Sequence, residues 1–336
     1  MNGESGQREP SGSARSPRRL VFVIPHFYEL EANAGTYGSG RDERDDRVRR
    51  VHRCISALHE TFGLALGVAP GVRIRATMDN VVDVVVVTTR GRHLVADLEP
   101  IASLFQHREV DLAPLELGFG VYPVFAELAG RYDYYCYLDD DLVIRDPLLF
   151  DKLAWFTSEW GDDSLLQPNR YETSGGHKVY PDGPLPPEAT ARIRQPAGPP
   201  DVVGRWFGSA VRFERPGNPH SACFFLNAAQ LDRLRAWPGY GQHTTDFVGP
   251  IESWATLPIA SVFRVYKAAP PSMDVFEIEH QGSRYLDEWG IPDPAHVATA
   301  ARLAAEIRLF DVETRLRHVE GLLGPGGPPS HPRSPT

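Results

Sequence analysis

Three consecutive aspartates, Asp139, Asp140 and Asp141, end an apolar run in the segment YDYYCYLDDDLVIRDP. Side chains on an extended chain alternate faces, so Asp139 and Asp141 are expected on one side and Asp140 on the other. Two carboxylates in one site repel each other unless a hard cation neutralises them, and oxygen donors of this kind suit Mg2+ or Mn2+. An ion held there with open positions can bridge the phosphates of a nucleoside diphosphate and stabilise charge growing on a leaving group. The residues alone leave a second reading open, in which the aspartates cap a turn or sit solvated at a strand end. Two further acids, Asp246 and Glu252 in TTDFVGPIESW, stand at the start of an expected helix, where they either act on a substrate or cap that helix.

The elements that must position these groups read as alternating strands and helices. Residues 20–24 (LVFVI) form a short β-rich apolar run stopped by Pro25, as in a strand buried on both faces of a parallel sheet. A polar loop follows, then a helical pattern with Val48, Val51, Ile55 and Leu58 at helical spacing. Residues 81–89 (VVDVVVVTT) predict a second buried strand, 109–112 a short third, 122–128 a helix and 134–138 (YYCYL) a strand ending at the aspartates. From 161 to 215 prolines crowd the chain and periodicity fades, which predicts a long excursion over the sheet. Strands at 222–226 and 262–268, with helices at 228–237 and 249–260, restore the order, and a final helical pattern runs from 295 to 323. Alternation of this kind implies an α/β fold with a doubly wound, mostly parallel central sheet flanked by helices.

A chain of 336 residues with 42% hydrophobic content can bury one large α/β core. The formal charge of -9 disfavours broad nucleic-acid binding, which needs a basic face against the phosphate backbone. Cys54, Cys136 and Cys223 are an odd number at wide spacing, so they read as buried thiols suited to a reducing cytoplasm, not as a disulfide frame or zinc site. No run reaches the roughly 18 apolar residues of a membrane helix. Residues 1–18 lack the apolar segment of a secretory signal and, like 324–336, are expected as disordered tails. Only Lys152, Lys178 and Lys267 are lysines among 35 basic residues, an arginine bias that suits a bacterial, GC-rich coding preference.

With its acidic triplet after an opening strand–helix–strand half, the chain resembles the GT-A class of glycosyltransferases, in which a DxD motif follows a Rossmann-like nucleotide-binding half. LDDDLVIRDP supplies the motif, with Asp139 and Asp141 in the places of its two acids. The likeness extends over about residues 20–286. It implies a single compact catalytic domain over 19–290, with a nucleotide-binding half at 19–150 and an acceptor half at 151–290, followed by a helical extension at 291–323. It implies transfer of a sugar from a nucleoside-diphosphate donor to a hydroxyl acceptor with bound Mn2+ or Mg2+. A late histidine often joins the metal in this class, and His280 in FEIEHQGSRY takes that place. The loop after the first strand runs along the nucleotide, which makes Pro25, His26, Phe27 and Tyr28 donor-side candidates, together with Asp83, Asp140 and Asn227. Asp83 equally suits a plain strand-start role. An inverting reaction needs a base on the acceptor hydroxyl; Glu252 is favoured over Asp246 because it can lie on the first turn of a helix. Asn169, Arg170, Glu172 and His220 are acceptor-side candidates.

Arg41, Arg44, Arg47, Arg49 and Arg50 interleave with four acids, the pattern of a solvated helix face from which one arginine can still reach a diphosphate. A sugar-nucleotide nucleotidyltransferase shares the sheet and the metal, but HFYELEANAG lacks its Gly-rich loop and basic residue. A metal-dependent phosphohydrolase gathers several His and Asp motifs, and a dehydrogenase needs the G-x-G-x-x-G absent after residue 24. A relative that binds carbohydrate without catalysis is the non-enzyme alternative.

Overall fold

The computed structural model describes residues 17–29, 43–63, 66–69, 72–75, 80–174, 177–244, 247–270 and 272–282. The final helix expected at 295–323 and both expected tails (apart from Pro17 and Arg18) lie outside them. The described residues fall in two compact units. One runs to Glu172 and resumes over Tyr180–Gln281; of the other, Thr173, Ser174, His177–Val179 and Gly282 are described. Apart from β10 and the last two residues of β9, all residues discussed below belong to the first.

In chain order the strands are β1 (Arg18–His26), β2 (Leu66–Ala69), β3 (Val72–Arg75), β4 (Asn80–Thr89), β5 (Gln106–Val110), β6 (Tyr134–Leu138), β7 (Leu142–Val143), β8 (Ser164–Leu166), β9 (Asn169–Ser174), β10 (His177–Val179), β11 (Asp201–Trp206), β12 (Ser209–Glu214), β13 (Cys223–Asn227), β14 (Arg264–Ala268) and β15 (Glu277–His280). The α-helices are α1 (Arg44–Phe62), α2 (Val121–Leu128), α3 (Leu149–Trp160), α4 (Pro187–Thr190), α5 (Ala228–Arg235), α6 (Pro250–Ala255) and α7 (Leu257–Val262).

The architecture is mixed α/β. Its central sheet has the order β13-β6-β1-β4-β5, in which β1, β4, β5 and β6 are parallel and β13 alone runs antiparallel, against β6. The unbroken apolar run of β1 follows from burial on both sides. Leu20, Phe22 and Ile24 join one apolar cluster with Val51, Ile55 and Leu58 of α1 and Phe150 and Leu153 of α3. Val21 and Val23 join another with Tyr122 and Phe125 of α2, Leu231 of α5, Trp254 of α6 and Ile259 of α7. Neither face of the strand meets water, so neither needs polar residues.

The expected excursion at 161–215 contains five strands instead. β8 lies parallel to β14, β14 antiparallel to β12, and β12 forms a hairpin with β11. The prolines cluster between these strands, chiefly at 181–187 and 196–200, where they cost no ladder hydrogen bond. The strand expected at 109–112 begins earlier, as β5, and the helix expected over 249–260 breaks at Thr256 into α6 and α7. Pro258 has no N–H to continue the first helix. Among the described residues no helix is long and apolar enough to cross a membrane.

Gly118 sets how closely α6 approaches this sheet. A methyl group on it would fall 1.8 Å from Cε2 of Trp254, and that indole packs edge-on against Tyr137 of β6 with centroids 4.1 Å apart. Gly118→Ala is therefore expected to destabilise the fold by about 1–3 kcal/mol through overpacking; urea unfolding followed by tryptophan fluorescence measures it, and an unchanged midpoint would refute the contact.

Candidate functional site

The acidic triplet sits at the carboxyl edge of the parallel strands, but in a turn and not on the extended strand that the sequence suggests. β6 ends at Leu138, and the Leu142 amide donates to the Asp139 carbonyl at 3.2 Å, folding Asp139–Leu142 into a tight loop before β7. Two distant segments pin that loop through the backbone. The Asp139 amide donates to the carbonyl of Ala222 at 3.0 Å, and the Gln281 amide donates to the carbonyl of Asp141 at 2.9 Å. Ala222 holds a left-handed φ of 53°, uncommon for a residue with a Cβ.

The three side chains meet different partners. Asp140 is buried, with Oδ2 at 2.6 Å from His26 Nδ1 and Oδ1 accepting from Arg47 at 2.5 Å. The Leu94 amide donates to His26 Nε2 at 3.1 Å, so the proton sits on Nδ1 and both ring nitrogens are engaged by the protein. Burial holds the His26 pKa below its ordinary value despite the neighbouring carboxylate.

Asp139 accepts from the Tyr137 hydroxyl. Its pKa is pushed up to about 8, first by burial and then by the charge of Asp141. Asp141 is the more exposed of the ion-paired acids, at 21% of its side chain, and lies 3.5 Å from His280 Nε2 and 3.9 Å from Arg47. Burial alone would raise Asp141; His280 first, and then Arg47 and Arg50, hold it well below the usual carboxylate range.

His280 reaches this position because β15 pairs antiparallel with β7, setting His280 opposite Leu142. Its Nδ1 stands 2.8 Å from the buried Glu172, which comes from β9 on the other side of β15. Burial works against its positive charge, yet Asp141 and then Glu172 raise its pKa to about 9. A histidine backed by a carboxylate on one nitrogen and facing an acid with the other is oriented as metal-binding histidines are. Among the described residues, however, Asp139, Asp141 and His280 do not bring one donor atom each within 4.8 Å of the others, whereas His93, His107 and Glu109 do.

Glu252 lies in the first turn of α6, half-buried, and its Oε2 is buried with no hydrogen-bond partner. Tyr28 is likewise buried with its hydroxyl unpartnered, and its amide donates to the Arg92 carbonyl. Pro25 faces Val87 across the sheet and Phe27 packs partly into the apolar cluster beneath α2.

Asp83 and Asn227, two further sequence candidates, lie away from the turn. Asp83 is level with Val21 and Tyr135, four residues short of Asp139 along the sheet, and accepts from the Tyr132 hydroxyl at 2.8 Å. This is the strand-start role and corrects the donor-side expectation. Asn227 faces Tyr134 at the opposite edge, because β13 is antiparallel and its C-terminal end points away from the acids. Asn227 caps α5 in a reciprocal pair with Gln230, the second correction.

Asn169 is spent on the carbonyls of Ala268 and Met273. Arg170 grips Asp182, and His220 accepts Lys267 at its carbonyl while its ring meets Thr256 Oγ1 at 2.7 Å. Arg170, Asp182, Lys267 and His220 form a buried electrostatic cluster. Asp246 lies outside the described residues.

Two residues at the turn escaped the sequence reading. Tyr137 was detectable, since it precedes Asp139 by two positions on the strand and so shares its face. Arg47 was not distinguishable from its four neighbours by any spacing; α1 turns it inward, at 12% exposure, while Arg44 and Arg49 stay outside in pairs with Asp97 and Asp46.

The fold and site thus define a mixed α/β protein with an acidic turn at the carboxyl edge of its parallel strands. No family model and no curated sequence matches the chain. Among solved structures it is similar to S. aureus TarS, with 11% identity, a TM-score of 0.41 and 79% of this chain covered against 37% of that one. It is also similar to mouse xyloside xylosyltransferase 1 in its apo form, at 12% identity and a TM-score of 0.39, covering 80% of this chain and 99% of that one. A Bacillus anthracis glucose-1-phosphate thymidylyltransferase, described as putative in its own name, shows 10% identity and a TM-score of 0.32 over 74% of this chain and 88% of that one. With every score below 0.5, nothing about this chain's function is taken from these likenesses.

Proposed function

We propose that the chain transfers a sugar from a nucleoside-diphosphate donor to a hydroxyl acceptor, using a divalent ion at the acidic turn, with residues 19–290 as its catalytic domain. The observation that carries this reading is the Asp139–Asp141 pair at the carboxyl edge of the parallel strands, where open α/β sheets take their ligands. Asp139 resists ionisation because burial and Asp141 both oppose its charge, which is the situation a hard cation relieves. Asp141 and His280 fit as two donors, and Glu172 orients the imidazole. Asp139 completes the set on leaving the Tyr137 hydroxyl. The ion, Mn2+ or Mg2+, would supply charge stabilisation to the departing diphosphate.

The remaining roles belong to the chain's own residues. His26 and Arg47 fix Asp140 and so hold the turn, which makes all three positioning residues and not direct donor contacts. Pro25, at the end of β1, and Phe27 and Tyr28, just past it, line the start of the donor side. Glu252 takes the acceptor proton; its unpartnered buried oxygen supports a base that keeps a lone pair for substrate.

A thermal-shift screen of nucleotide sugars with and without Mn2+ tests the reading, since a ligand that binds only the folded chain raises its melting temperature. Stabilisation by a nucleoside-diphosphate sugar that requires Mn2+ supports it; stabilisation only by a nucleoside triphosphate with a sugar phosphate would shift the assignment to nucleotidyl transfer. Glu252→Gln is expected to keep donor affinity and lower kcat by about 100-fold or more. Steady-state kinetics at saturating donor read this, and unchanged turnover would remove Glu252 from the base role.

A further inference from the structure

We propose that His93, His107 and Glu109 form a second metal site that takes a divalent transition ion of the Zn2+ class. It does not depend on the sugar-transfer reading. His107 and Glu109 are two apart on β5, the edge strand of the central sheet, and therefore share a face. His93 arrives from the bend after β4, where Gly91 adopts a φ of 68° and the Arg92 amide donates back to the Thr89 carbonyl. One ligating atom from each of the three residues lies within 4.8 Å of the other two.

The arrangement is built and not incidental to a crowded surface. His93 Nε2 stands 3.1 Å from Glu109 Oε1, and the two imidazole rings meet edge-on with centroids 4.9 Å apart. The Val95 amide lies 3.3 Å from His93 Nδ1, a contact that must give way for His93 to ligate through Nε2, whereas the Thr88 hydroxyl, 2.8 Å from His107 Nε2, can accept that nitrogen's proton and leave Nδ1 to ligate. A partner placed as Thr88 is orients an imidazole for coordination.

Partial burial, and next the proximity of His93, lower the pKa of His107, and the bond to His93 lowers that of Glu109. At neutral pH both are in the forms that ligate. The His93 side chain is 17% exposed and that of Glu109 47%, which leaves one open side for an ion and its waters. Two imidazoles with one carboxylate form a borderline donor set, suited to Zn2+, Co2+ or Fe2+ more than to Mg2+.

An ion here would tie the edge strand to the bend after β4. That bend also carries Leu94, whose amide caps His26 behind the acidic turn. The expected consequence is a stiffer 90–94 segment and a higher melting temperature, with no direct part in chemistry.

The test uses the full-length, tag-free protein after chelator treatment and dialysis. Calorimetry with Zn2+, and visible absorption with Co2+ as a spectroscopic stand-in, are compared across wild type, His107→Ala, Glu109→Gln and Asp141→Asn. Asp141→Asn is expected to take up one equivalent of Zn2+ and wild type at least one, each with a rise in melting temperature, and His107→Ala and Glu109→Gln to bind at this site about 10-fold or more weakly. Circular dichroism verifies that the variants remain folded. Equal Zn2+ uptake by His107→Ala and wild type would overturn the site, as would uptake abolished by Asp141→Asn alone, or none by wild type at excess metal.

Discussion

Asp141→Ala is expected to leave the fold in place and to remove Mn2+-dependent binding of a nucleoside-diphosphate sugar, with affinity falling at least about 100-fold. Asp141 is the acid of the turn that combines partial exposure with two cationic neighbours, His280 and Arg47. Its side chain joins no apolar cluster; Asp141→Ala gives up the pairs with His280 and Arg47 but keeps the backbone carbonyl that accepts from Gln281. The loss should therefore fall on ligand and not on packing. Asp141→Asn keeps the shape and removes the charge, so an equal loss in both variants would assign the effect to charge. Titration calorimetry of donor with and without Mn2+, beside thermal unfolding of each variant, separates the two. Metal-dependent donor binding retained in Asp141→Ala would refute the proposed role of the acidic turn.

Asp182→Asn carries the largest expected cost in stability. Asp182 accepts from Arg170 through both Nε and Nη2 and from Lys267 at 3.2 Å, and the three side chains are exposed by only 7%, 7% and 5%. Removing this anion takes from a buried guanidinium and a buried ammonium their shared partner, a defect worth about 3–5 kcal/mol. The pH dependence follows with a definite sign. Burial on its own would raise Asp182, but Arg170 and then Lys267 hold it below the ordinary carboxylate pKa.

A depressed folded-state pKa contributes stability above the unfolded value of about 4, lost as pH falls through the folded value. Wild type should thus lose stability more steeply below about pH 4 than Asp182→Asn does. Urea unfolding from neutral to acid pH measures both effects. A neutral-pH difference under about 1 kcal/mol would show that the cluster is hydrated and its charges cheap to separate.

Much of the central sheet was legible because its strands are apolar on both faces. The runs of β1, β4 and β6 stand out against any helical period, and α2 and α5 begin where the sequence suggests. The second layer of strands was not legible. β7 to β12 and β15 have two to six residues each and several alternate between exposed and buried. Outside the β11–β12 hairpin, partners lie far along the chain: Ser164 pairs with Arg264 and Glu277 with Asn169. No local pattern encodes such pairings.

The same limit explains the scattered site candidates. Asp139 and Asp141 could be singled out from composition alone, and His280 from the resemblance. Whether Asn227 lay near them depended on the direction of β13, which no spacing reports. Which of the two roles left open for Asp83 applies depends on its level along β4, which spacing does not reveal either. The surplus of arginines in α1 hid Arg47 until the helix showed which one faces Asp140.

The pinning of the acidic turn also bears on how the molecule comes into being at the ribosome. β1, β4, β5 and β6 emerge first and can pair at once, but the two backbone clasps on residues 139 and 141 come from residues 222 and 281. A growing chain therefore acquires a collapsed nucleus well before it acquires a finished acidic turn. The acidic turn is clasped from both sides only once residue 281 has been added.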